Sequence, residues 1–175
     1  MKKHLLLGIC LICTLLSQTA LLAQTIKGTY AIKNVQTGML LRVEEANRKD
    51  GTPIVLYNPV NWKCMTWDFQ QTSVVDGSSS YKLKNLFTSK TLQPVEADLK
   101  AGVALEQRPL SATSANQEWE FISVAANTYL IRLKGTQLYI TPSGEKGSTN
   151  SRVILTGKQT GQLQHWTIYE QHPTS

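Results

Sequence analysis

An all-β chain built from three equivalent units is the fold class the sequence predicts, and two observations predict it. Three stretches begin alike: Tyr30-Ala31-Ile32-Lys33-Asn34, Tyr81-Lys82-Leu83-Lys84-Asn85 and Tyr129-Leu130-Ile131-Arg132-Leu133. Each alternates apolar and polar residues as a half-buried strand does. Each is also followed by a tryptophan at a nearly constant distance, 37 residues to Trp67, 38 to Trp119 and 37 to Trp166. A unit of about 50 residues cannot cover its own apolar face, so three such units must close around a shared core. Threefold pseudo-symmetry of this kind is a β-trefoil. A four-blade propeller needs another unit, and a sandwich leaves the constant spacing unexplained.

The units stay in step between these landmarks. Eleven residues after each lead tyrosine stand Leu41, Leu92 and Ile140, and twenty-four after it stand Ile54, Leu105 and Val153, each in a short apolar run. Asp50-Gly51, Ala101-Gly102, Ser143-Gly144 and Gly147 supply the turns between them. Each unit therefore reads as four short strands, and no segment carries a 3.6-residue period. The lead tyrosines and the three tryptophans, at equivalent positions, are expected to build the common core.

Residues 1–23 are a separate element. Lys2, Lys3 and His4 are followed by an apolar stretch from Leu5 to Leu16 and a more polar exit ending in Ala23, the pattern of a secretory signal peptide. Cleavage after Ala23 leaves Gln24 as the new terminus; an uncleaved anchor is the alternative. The product is then secreted, or held in the periplasm or cell envelope. The segment holds 15 of the 72 hydrophobic residues, so the remaining 152 residues are only about 37% hydrophobic. That length still supports one core, and one domain is expected over 24–175, with repeats at about 25–78, 79–127 and 128–172. Outside the leader no apolar run approaches the length of a membrane span.

Cys10 and Cys13 leave with the leader, so Cys64 stands alone and no internal disulfide forms. Cys64 reads as a small, half-buried residue. Without Lys2 and Lys3 the chain has 16 basic and 12 acidic residues, a net charge of +4. Basic residues are scattered with no Lys/Arg block, which argues against nucleic acid as a partner. The mature domain is expected to act as a monomer.

Each unit ends on a related tripeptide: Met65-Thr66-Trp67, Gln117-Glu118-Trp119 and Gln164-His165-Trp166. Together with Gly38-Met39-Leu40-Leu41-Arg42-Val43 and the run from Asp50 to Asn58, this resembles the ricin B-type β-trefoil lectins and related carbohydrate-binding modules, over about residues 25 to 170. The resemblance implies that Trp67, Trp119, Trp166, Gln117 and Gln164 are architectural, the tryptophan packing in the core and the glutamine tying backbone groups. It also implies a sugar pocket in each unit, made of an Asp after the second strand, an aromatic residue fifteen positions later and an Asn before the Gln-x-Trp.

At those positions this sequence departs from the pattern. The Asp position holds Arg42, Gln93 and Thr141, the aromatic position Tyr57, Arg108 and Thr156, and the Asn position Cys64, Asn116 and Leu163. The first unit keeps its ring, with Asn58 and Trp62 nearby; the second keeps Asn116 amid Gln93, Glu106 and Arg108; the third keeps nothing. The candidate carbohydrate-binding residues are therefore Arg42, Tyr57, Asn58, Trp62, Gln93 and Asn116. Trp62 either marks a recognition surface or folds back over the barrel mouth. Arg42 in place of the Asp favours a ligand with its own carboxylate or sulfate, which points to acidic glycans.

Catalysis finds few convergent groups. His165 lies inside a Gln-x-Trp and His172 in the tail, and no spacing suggests a zinc site, a phosphate loop or a nucleophile elbow. Glu118 and Glu120 flank Trp119 on one strand and share its solvent face, while Glu44-Glu45 stand at a strand exit. The expectation is a non-catalytic, cofactor-free module that binds glycans or glycoconjugates. The rival readings are a trefoil protease inhibitor and a protein-binding trefoil whose sugar sites have decayed.

Overall fold

The computed structural model describes residues 25–75 and 78–174; the leader expected at 1–23 lies outside them. Twelve strands follow in order: β1 Thr29–Asn34, β2 Leu40–Val43, β3 Ile54–Tyr57, β4 Thr66–Val75, β5 Ser78–Asn85, β6 Thr91–Pro94, β7 Leu105–Arg108, β8 Trp119–Ala125, β9 Thr128–Leu133, β10 Tyr139–Pro142, β11 Val153–Thr156 and β12 Trp166–Glu170. Short 3-10 turns at Glu44–Ala46, Lys63–Met65 and Ala115–Gln117 are the helical elements of the described residues. The fold is a β-trefoil.

Six strands close the barrel. β1 pairs with β12 and β4, β5 with β4 and β8, and β9 with β8 and β12, all antiparallel, which leaves the barrel no edge. The other six form three hairpins in one shared register: Leu41 opposite Leu56, Leu92 opposite Gln107 and Ile140 opposite Leu155.

The hairpins lock to one another around the pseudo-threefold axis. Twenty-six residues after each lead tyrosine, the N–H of Leu56, Gln107 and Leu155 donates to the carbonyl of Ser151, Thr52 and Val103 in a neighbouring unit, at 2.9, 2.8 and 2.8 Å. In return Asn150, Gly51 and Gly102 donate back to Leu56, Gln107 and Leu155 at 2.9, 3.0 and 2.8 Å. Those three returning residues all have positive φ, 63°, 79° and 93°. Glycine holds that conformation without strain and asparagine tolerates it. The third unit's counterpart of Gly51 is thus Asn150, while Ser143-Gly144 and Gly147 lie earlier in the same β10–β11 connection.

Trp67, Trp119 and Trp166 are fully buried. Each indole Nε1 donates to a carbonyl of its own hairpin, Leu41, Leu92 and Ile140, at 3.4, 3.3 and 3.1 Å. The repeated tryptophan therefore fills volume and satisfies its one donor in the same place. The lead tyrosines behave differently. Tyr81 is fully buried, but Tyr30 and Tyr129 are only partly so. They stack edge to face with the phenylalanines two residues beyond the tryptophans, Tyr30 on Phe69 at 5.3 Å, Phe69 on Tyr81 at 5.5 Å, Tyr81 on Phe121 at 5.5 Å and Phe121 on Tyr129 at 5.6 Å. The next place in this aromatic series is held by Ile168, where the ring of contacts breaks.

Candidate functional site

In the first unit the β2–β3 register sets Arg42 opposite Val55 and Leu40 opposite Tyr57, so Arg42 and Tyr57 are diagonal neighbours on one face, within reach of long side chains. The guanidinium carbon of Arg42 lies 4.1 Å from the Tyr57 ring centroid and 6.0 Å from that of Trp62. The two rings are 6.0 Å apart and tilted by 34°. Trp62 is 39% exposed and stands beside this cluster, against the Tyr57 ring. Asn58 follows Tyr57 in the same loop and is exposed.

Arg42 is itself only 8% exposed, and its Nε has no hydrogen-bond partner. No ion pair among the described residues includes it. Beneath it Ala31, Leu40, Cys64 and Met65 form a small apolar floor against which Ala46, Tyr57, Val60 and Phe87 pack. Cys64 is buried rather than half-buried, at 4% exposed. Its thiol is pushed above its ordinary range by burial, which outweighs the opposing pull of the Arg42 charge.

The loop carrying Trp62 is held by residues the sequence did not mark. Gln171, beyond β12, donates from Nε2 to the Val60 carbonyl at 3.2 Å and accepts from the Thr66 hydroxyl at 2.8 Å, and that hydroxyl also bonds the Trp62 carbonyl at 3.0 Å. Lys63 Nζ reaches the Thr174 carbonyl at 3.2 Å. Bonds across more than 100 residues leave no local signal.

The second and third units fill the same place with polar bonds. Gln117 Nε2 donates to Gln93 Oε1 at 2.9 Å and to the Pro109 carbonyl at 3.0 Å, and its Oε1 accepts from the Ser111 N–H at 2.8 Å. Gln93 is thereby tied to the architectural glutamine. Lys82, in the place of Ala31, reaches the Ser111 and Ala112 carbonyls. Arg108 is bound to Glu106 at 2.5 Å, so its charge is answered within the protein. Asn116 lies in the 3-10 turn of this unit, on a different hairpin assembly from Arg42 and Tyr57. In the third unit Gln164 Nε2 donates to the Thr141 and Thr156 hydroxyls and the Gly157 carbonyl at 2.9 to 3.0 Å. The two threonines bond each other at 2.7 Å, which closes that site.

Met65 has no such donor. With the glutamine gone, the first unit exchanges a polar tether for an apolar floor with an unanswered arginine above it.

Residues 63–156 match the family described as ricin-type beta-trefoil lectin domain-like. The chain belongs to that family. Comparison with curated proteins returns no match. Among solved structures, this ricin-type trefoil is similar to the designed threefold-symmetric protein ThreeFoil, with a TM-score of 0.74 and 22% identity over 82% of this chain and 99% of that one. It is also similar to the ricin B-like lectin of Macrolepiota procera in complex with lactose, with a TM-score of 0.63 and 20% identity over 83% and 97%. A third is the Polyporus squamosus lectin bound to Neu5Aca2-6Galb1-4GlcNAc, with a TM-score of 0.68 and 18% identity over 83% and 49%.

Elsewhere on this ricin-type trefoil the two carboxylates that flank Trp119 are engaged. Glu118 pairs with Lys134, just after β9, at 2.7 Å and Glu120 with Arg132 on β9 at 2.6 Å, so the two carboxylates are held in ion pairs rather than on a free solvent face. The Lys134 hydrogen bond holds the Glu118 carboxyl below its ordinary range. No group of three or more metal-ligating side chains occurs among the described residues, and none of their helices is long and apolar enough to cross a membrane. A cavity of about 280 Å³ lies at the open end of the barrel, lined by Tyr30, Tyr129, Ile168, Tyr169 and Glu170 among others. It adjoins the break in the aromatic series and contains no residue of the Arg42 cluster.

Proposed function

We propose that this protein is an exported, non-catalytic carbohydrate-binding module whose first unit takes an acidic glycan on Arg42, Tyr57 and Trp62, with Asn58 at the rim. The observation that carries this reading is Arg42, a residue only 8% exposed, whose guanidinium stacks on Tyr57 with Nε unpartnered and with no ion pair among the described residues. Burying an unpaired charge costs several kcal/mol, and a ligand carboxylate or sulfate offsets that cost by accepting paired guanidinium hydrogen bonds. The Tyr57 and Trp62 faces then cover the apolar face of a sugar ring. Membership of the ricin-type family supports the ligand class, as do the lactose and Neu5Aca2-6Galb1-4GlcNAc complexes of two structural relatives. Gln93 contributes less, because Gln117 already occupies its side-chain carbonyl, and Asn116 stands in the second unit, away from the Arg42 cluster. With one usable site, the affinity is that of a single weak contact and gains nothing from avidity.

The test is an array of neutral, uronate-bearing, sialylated and sulfated glycans, read beside a protease-inhibition panel. Saturable binding confined to acidic glycans and lost in the Arg42→Ala, Tyr57→Ala double variant is the expected result. Unchanged binding in that variant removes the site assignment, and protease inhibition with a blank array removes the function.

A further inference from the structure

A second arginine stacks on an aromatic ring beside the same apolar floor. The Arg48 guanidinium carbon lies 4.0 Å from the centroid of Phe87, and Phe87 packs on the cluster of Ala31, Leu40, Cys64 and Met65 that also supports Tyr57. One floor thus carries two arginine–ring pairs, Arg42 with Tyr57 and Trp62, and Arg48 with Phe87. Among the described residues Arg48 makes no ion pair either. The nearby carboxylate of Asp50 is taken by Lys90.

The segment bearing Arg48 is unusually well held for a loop. Gln107 Nε2, from the second unit, donates to the Asn47 and Lys49 carbonyls at 2.6 and 2.7 Å, and Lys90 Nζ donates to the carbonyl of Arg48 itself at 2.5 Å. Three successive carbonyls are therefore fixed by side chains of the neighbouring unit. The backbone entropy of presenting Arg48 is lost on folding and not on binding.

Neither partner of this pair recurs in the other units. Eighteen residues after the lead tyrosines stand Arg48, Leu99 and Gly147, and six after them stand Phe87, Gln36 and Gly135. The second pair occurs only beside the unit whose architectural glutamine is replaced by Met65. A general requirement of the fold would repeat with the repeat.

We propose that Arg48 on Phe87 is a second anion subsite continuous with Arg42, so that the ligand is an acidic oligosaccharide carrying negative groups on more than one sugar residue. This rests on the reading of Arg42 as the first anion site. Two cations above rings on one apolar floor match a chain in which sugar faces and charged substituents recur along its length. A single terminal acidic sugar engages Arg42 alone.

The experiment is titration of the full mature protein with oligogalacturonates and chondroitin sulfate oligosaccharides of two, four and six residues, by calorimetry. In the unaltered protein, affinity rises at least tenfold from two residues to six in one of the two series. Arg48→Ala returns the hexasaccharide to the disaccharide's affinity and leaves the disaccharide's unchanged, while Arg42→Ala removes both. Near-UV circular dichroism confirms that the variants keep the fold. A hexasaccharide affinity that Arg48→Ala does not alter, with disaccharide binding intact, overturns the subsite and leaves the Arg42 reading standing. Failure of every member of both series to bind the unaltered protein overturns this subsite, and the Arg42 reading falls with it where the sialylated glycans fail to bind as well. Tighter binding of a single-stranded oligonucleotide than of any saccharide overturns the glycan class.

Discussion

Arg42 is a buried residue whose guanidinium carbon lies 4.1 Å from the ring centroid of Tyr57, and no carboxylate among the described residues pairs with it. In the second unit the equivalent ring position is Arg108, and that arginine is bound to Glu106. The comparison separates a cation that serves the fold from one that does not. Arg42→Met keeps an unbranched apolar stem beside Tyr57 but removes the guanidinium and its buried charge. The expected result is a gain of about 1 kcal/mol or more in urea unfolding together with loss of acidic-glycan binding. A loss of stability would assign Arg42 to the fold.

The architectural glutamine and its absence make a paired prediction. Gln164→Ala deletes three donated bonds and leaves the Gly157 carbonyl and the Gln159 N–H without their partner. A cost of about 1 to 2 kcal/mol is expected from the lost bonds, since Gly157 and Gln159 are exposed and water can take their freed groups. Met65→Gln, which restores the family residue, places an amide on the floor of Ala31, Leu40 and Cys64. It is expected to cost about 1 to 3 kcal/mol as well. Chemical denaturation of both variants checks this; a neutral Met65→Gln would mean that the floor readily accommodates the polar tether.

These two positions also show how far the sequence could be read. Tyrosine-to-tryptophan spacing told the number of units and strands because a closed threefold core forces equivalent residues to equivalent depths. The glutamine bonds followed from the family pattern. The proximity of Arg42 and Tyr57 was legible as well, since a hairpin in constant register puts them on one face. The depth of Arg42 and the position of Trp62 were not. They depend on Gln171, from the far end of the chain, fixing the loop together with its neighbour Thr66, and on a floor assembled from β1, β2 and the turn before β4. Arg48 escaped notice for a similar reason: its ring, Phe87, comes from the following unit. The break at Ile168 carried a usable signal, because Phe69 and Phe121 stand two residues after their tryptophans and Ile168 does not match them.

The Glu118–Lys134 pair predicts a pH dependence. The hydrogen bond from Lys134 lowers the carboxyl's pKa in the folded state relative to the unfolded chain. A depressed folded pKa stabilises the protein above the unfolded carboxylate value of about 4.3, and that stabilisation disappears as pH falls through the folded value. Glu118→Gln should therefore be less stable than the parent near neutral pH and converge with it in acid. Thermal melts of both proteins from pH 7 downward measure this, and a constant gap between the curves would show that the carboxylate's ionisation is not what stabilises.

The last prediction concerns the open end of the barrel. Edge-to-face contacts run from Tyr30 through Phe69, Tyr81 and Phe121 to Tyr129, and stop where Ile168 replaces the expected ring. The cavity of about 280 Å³ beside Ile168 is bounded by Tyr30 and Tyr129, the two rings left without a neighbour on that side. Ile168→Phe should close the aromatic series by adding a ring where the other two units already carry one. Cavity filling of this kind contributes about 0.5 to 2 kcal/mol, and each new edge-to-face pair adds about 0.5 to 1.5 kcal/mol beyond its buried area. A higher Tm with unchanged glycan binding is expected, because the cavity shares no residue with the Arg42 cluster. A lower Tm would show that the space is too narrow for the ring and that overpacking outweighs the gain.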